Sequence, residues 1–101
     1  MKVCLVTAVH IQPTKEWIDA LPNIDIIIID DSNGIVKIDK PNVRMFDYKA
    51  QEEYLGDKYE AFARLFHKSS SCKNLGHYIA YKEGYDIMIE IDSDCICPPD
   101  L

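Results

Sequence analysis

Asp86-Ile-Met-Ile-Glu-Ile-Asp-Ser-Asp-Cys95 is the most telling stretch of this chain. An apolar run, Ile87 to Ile91, ends abruptly in two carboxylates, Asp92 and Asp94, with one small residue between them. The run is short, rich in isoleucine, and bounded by Gly84 and by Pro98-Pro99, which fits a buried strand better than a helix. Strand side chains alternate faces, so Asp92 and Asp94 would point the same way if the strand continued through them. The carboxyl end of a strand is where open α/β sheets bind ligands. Two hard oxygen ligands placed there suit Mg²⁺ or Mn²⁺, with phosphate completing the shell.

Upstream, Val3 to Val9 is almost continuously apolar, as in a strand covered on both faces of a parallel sheet. Pro13 stops it, Thr14 can cap a short helix from Lys15 to Leu21, and Pro22-Asn23 breaks that helix. Ile24 to Ile29 is a second strand running into Asp30-Asp31-Ser32-Asn33-Gly34. Strand, helix and strand in this order make a right-handed βαβ unit. Val36 to Ile38 reads as a small extra strand and Val43 to Tyr48 as a third. Lys49 to Leu55 is ambiguous, whereas from Asp57 on Tyr59, Phe62, Ala63 and Phe66 have helical spacing, in a segment that a nucleotide-binding fold could equally use as a mobile loop. Ser69 to Ser71 supplies the cap of a last helix with Cys72, Leu75 and Ile79 inward, closed by Gly84 at its C′ position. The expected fold is α/β: a Rossmann-like, mostly parallel sheet flanked by helices, in a single domain over residues 1–101.

Composition narrows the partners. A net charge of −6 argues against nucleic acid or an anionic membrane surface, though not against a nucleotide carried with a divalent cation. No run is long enough to span a bilayer. Of the four cysteines, Cys4 lies in a strand and Cys95-Ile-Cys97 lacks the spacing of common zinc hooks. Reduced thiols follow, and with them a cytoplasmic location. His10, at the end of the first strand, reads as a loop histidine with no partner, and Tyr78, Tyr81 and Tyr85 as packing residues.

An Asp-x-Asp pair alone is a weak signal, since such pairs also occur in plain turns. Phosphatases of the haloacid-dehalogenase type carry strand–Asp-x-Asp, but on their first strand and with a different continuation. Residues 70–100 fit another family better: they resemble the reversibly glycosylated polypeptides, the UDP-arabinopyranose mutases, whose fold is of the GT-A nucleotide-sugar type. The likeness runs from Cys72 through Gly76 to Asp92-Ser93-Asp94-Cys95, and more loosely over Val6 to Val9 and Ile26 to Asn33.

That resemblance implies roles. Asp92 and Asp94 would hold Mn²⁺ or Mg²⁺ against the diphosphate of a UDP-sugar, with Ser93 where the family has a middle aspartate. Asp31 would contact the uridine, Thr7 and Val9 would line the base pocket, and Asn33 stands where the family has a further acid. Lys73 replaces an arginine at a helix start, where a cation and free N–H groups meet phosphate. The implied activity is glycosyl transfer or sugar-ring mutase chemistry, with no catalytic residue assigned. A non-catalytic Rossmann-like binding or assembly module is the alternative. A GT-A domain usually needs roughly twice this length, so the chain is expected to be the nucleotide-binding half, completed by further sequence, a partner chain or self-association.

Overall fold

The computed structural model describes residues 1–32, 34–66 and 73–91. Four parallel strands, β1 (Val3–Val9), β2 (Asp25–Asp30), β3 (Val43–Phe46) and β4 (Ile87–Glu90), form one sheet in the order β3-β2-β1-β4. Helix α1 (Lys15–Asp19) lies against one face; α2 (Tyr48–Leu55), α3 (Tyr59–Phe66) and α4 (Asn74–Lys82) pack on the other. This is the expected α/β, Rossmann-like arrangement.

The apolar runs produce it by filling both faces at once. Cys4, Val6, Ala8, Ile27, Ile29 and Phe46 face Leu75, Ile79 and Ala80 of α4. Leu5, Val9, Ile26 and Ile28 face Trp17, Leu21, Val36 and Ile38. Ile26 to Ile29 have no exposed surface, and each such burial contributes about 2 kcal/mol. Burial also pushes the Cys4 thiol up, helped by the charges of Asp25 and Glu83, which keeps it an unreactive core residue.

Helix α1 starts where expected, with the Thr14 hydroxyl accepting from the Trp17 N–H at 3.1 Å. It ends at Asp19, short of Leu21, because a residue before proline avoids the helical region and Pro22 follows. Val36 to Ile38 is not a strand. Its N–H groups are taken by side chains, Val36 donating to Ser32 Oγ and Lys37 to Gln12 Oε1, while Val36 and Ile38 still bury their side chains. Strand β3 stops at Phe46 because Asp47 caps α2, accepting from the Ala50 N–H at 2.9 Å. That resolves Lys49 to Leu55 as helix.

At the far end of α4, the Gly84 N–H reaches Tyr81 O and the Tyr85 N–H reaches Ala80 O. With Gly84 at φ 79° this is a Schellman closure, which glycine adopts without Cβ strain. The Ser69–Ser71 cap and Cys72 lie outside the described residues. Strand β4 departs from expectation in one respect: it pairs only with β1 among the described residues, and Ile87 and Met88 stay about two-fifths exposed.

Candidate functional site

Parallel pairing sets Val9 opposite Asp30, so the next residue of each strand, His10 and Asp31, emerges side by side at the carboxyl edge. The Asp31 N–H donates to Val9 O at 2.8 Å, which fixes the spacing. The Asp31 side chain has no exposed surface, yet both its oxygens are satisfied. Its Oδ2 lies 2.9 Å from His10 Nδ1, and its Oδ1 accepts from the Tyr48 hydroxyl at 2.8 Å. A carboxylate desolvated to this degree is stable only with such partners. Tyr48 opens α2 directly beyond β3, so one carboxylate ties together the ends of three strands.

Asp30, its neighbour, does a local job. It accepts from the Ser32 N–H and hydroxyl and from the Gly34 N–H, shaping the turn that carries the chain back over the sheet. Beyond it, Asp39 and Asp47 join Asp30 around a depression in which Lys37 is the one cation among the described residues. An acid-rich surface of that kind disfavours phosphate over the ends of β2 and β3.

On the other side of β1 the balance differs. Connections from β1 run one way to β2 and β3, while β4 lies on the opposite flank, so the strand order reverses between β1 and β4. Ligands of open α/β sheets bind outside the carboxyl ends at such a reversal. Glu90 ends β4 there, its Oε1 2.9 Å from His77 Nε2 and 3.7 Å from Lys73 Nζ. Lys73 precedes the first residue of α4, so its charge and the helix N-terminus share one corner.

The sequence-derived candidates fall into three groups. Thr7 and Val9 are wholly buried in the sheet, and the Thr7 hydroxyl has no hydrogen-bond partner among the described residues. Asp31 and Lys73 reach the carboxyl edge on opposite sides of β1, Asp31 held by His10 and Tyr48, Lys73 beside Glu90. Asn33, Asp92 and Asp94 lie outside the described residues. Among the described residues, no three His, Cys, Asp or Glu side chains cluster as a metal site. Glu90, next to an ammonium and an imidazole, is a poor ligand in this arrangement. The expected cation ligands Asp92 and Asp94 are not among the residues described.

Sequence reasoning missed His10, Tyr48 and the His77–Glu90 contact. One signal was available: His10 and Asp31 each follow immediately on an apolar strand, so pairing those strands in parallel brings the two residues together.

The fold and its polar edge thus define a parallel α/β sheet whose strand order reverses between β1 and β4. Comparison with models of known families, with curated proteins and with solved structures returned no match to this chain.

Proposed function

We propose that this chain is the nucleotide-binding part of a metal-dependent protein acting on UDP-sugars, in glycosyl transfer or sugar-ring mutase chemistry of the reversibly glycosylated polypeptide type. The observation that supports it most is topological. The Asp92-Ser93-Asp94 motif follows two residues after Glu90, and Glu90 ends the strand flanking the reversal point beside the lysine-bearing start of α4.

In this reading the base lies over the ends of β1 and β2, near Thr7, Val9, Asp31 and Asn33. The diphosphate lies toward Lys73, away from the acids beyond β2. Asp92 and Asp94 would hold Mn²⁺ or Mg²⁺, a Lewis acid that offsets the charge developing on a departing diphosphate. Lys73 adds a cation at the start of α4, where the helix dipole also favours phosphate.

Titration calorimetry of UDP with and without Mn²⁺ tests the reading. The expected result is metal-dependent binding that Asp92→Ala and Asp94→Ala each abolish. Binding that ignores the metal, or survives both substitutions, removes the proposal. Release of free UDP from UDP-sugars then separates turnover from binding alone.

A further inference from the structure

The Asp31 carboxylate has no surface left to offer a ligand, because His10 and Tyr48 cover both of its oxygens. What faces outward from this network is His10, whose side chain is 43% exposed. A carboxylate only accepts, so the neutral imidazole carries its proton on Nδ1, pointed at Asp31. Its Nε2 is then a lone pair, with no partner among the described residues, in an orientation fixed by a buried acid. Tyr48 restrains that acid from the other side, so ring and tautomer are both set before any ligand arrives.

We infer that His10, rather than Asp31, meets the base, and that its Nε2 accepts the ring N–H of a uracil-type imide and so selects uridine over cytidine nucleotides. The inference rests on the nucleotide reading above and adds its selectivity. Uracil presents N3–H between two carbonyls, matching an acceptor. Cytosine presents a lone pair at N3, which would meet the imidazole lone pair head on. Loss of one hydrogen bond with a polar atom left facing another corresponds to about a ten- to hundredfold weaker affinity. Asp31 and Tyr48 are positioning residues in this scheme: they hold the ring and touch no ligand.

The test is calorimetry with UDP, CDP and N3-methyl-UDP in the presence of Mn²⁺. Wild type is expected to favour UDP about ten- to hundredfold over both competitors. His10→Phe still covers Asp31 but offers no acceptor, and should bring the three ligands within about threefold, mainly by weakening UDP. His10→Lys keeps a partner for Asp31 while presenting a donor, so preference should swing toward CDP; it also carries the test should His10→Phe fail to fold. A wild type that binds UDP and CDP alike, or variants that keep the wild-type preference, overturn the inference. A wild type that binds none of the three overturns the nucleotide reading itself.

Discussion

Gly76 sits in the first turn of α4 where the helix crosses β1, and replacing it with alanine tests how closely the two are packed. A Cβ at that position would lie 2.4 Å from Val6 Cγ1 and 3.6 Å from Ile29 Cγ1. Ordinary carbon contacts are about 3.5–4.0 Å, so the first is too short by more than about an ångström. Val6 has no exposed surface and a β-branched side chain with little rotamer freedom, so it cannot step aside cheaply. Either α4 lifts from the sheet or Val6 leaves its rotamer, and overpacking of this kind costs about 1–3 kcal/mol. Alanine's better helix propensity returns about 1 kcal/mol. With so large an overlap the overpacking cost falls in the upper half of its range, leaving Gly76→Ala about 1–2 kcal/mol less stable. In a domain of this size each kcal/mol lowers the melting temperature by about 4–8 °C. Urea unfolding followed by circular dichroism measures the difference, and adding Val6→Ala should make the pair cost less than the sum of its parts. A Gly76→Ala variant as stable as the parent would refute the close α4–β1 contact, and with it the placement of Lys73 and His77 against Glu90.

Asp30→Ala should destabilise by about 1–3 kcal/mol in the same assay, because the Ser32 and Gly34 N–H groups lose their acceptor. An unchanged midpoint would mean the turn holds itself without that carboxylate. Tyr85 donates to Asp25 at 2.7 Å, and this bond, with burial and the Asp25 charge, lifts its phenol to about 12. A pKa raised above the usual value near 10 means its stabilisation is complete below about pH 10 and is lost as pH rises toward 12. Ultraviolet difference titration should show a late phenol ionisation whose amplitude falls by one tyrosine in Tyr85→Phe, with a flatter alkaline loss of stability; a late amplitude unchanged by the substitution refutes the assignment.

The central sheet was legible because continuous apolar runs leave a strand few choices: Val3 to Val9 and Ile26 to Ile29 satisfy both faces wherever they lie. Val36 to Ile38 has the same local pattern, and its side chains do enter the core. Only the route of its N–H groups, to Ser32 and Gln12, separates it from a strand, and that depends on a residue 25 positions away in the case of Lys37. Gly84 was legible for a local reason, since a closing turn after a helix needs a positive φ. The solvent exposure of Ile87 and Met88 was not, because an apolar sequence records affinity for a core without recording which neighbours arrive. The His10–Asp31 pair falls between these cases. Nothing near His10 announces a partner, yet the strand register, once known, leaves little else for it to meet.

The contacts on β4 span most of the chain. Lys2 donates its N–H to Asp86 across 84 positions and accepts from Asp86 and Ile87 in return. Closing so long a loop is entropically slow, whereas β1, β2 and β3 can zip together across short connections. The β1–β4 pairing is therefore the last part of the sheet expected to assemble and, with β4 at the edge among the described residues, the first to come apart. A ligand bridging those two strands would act as a clasp between distant parts of the chain, and its occupancy would be felt in local breathing well before it showed in global unfolding.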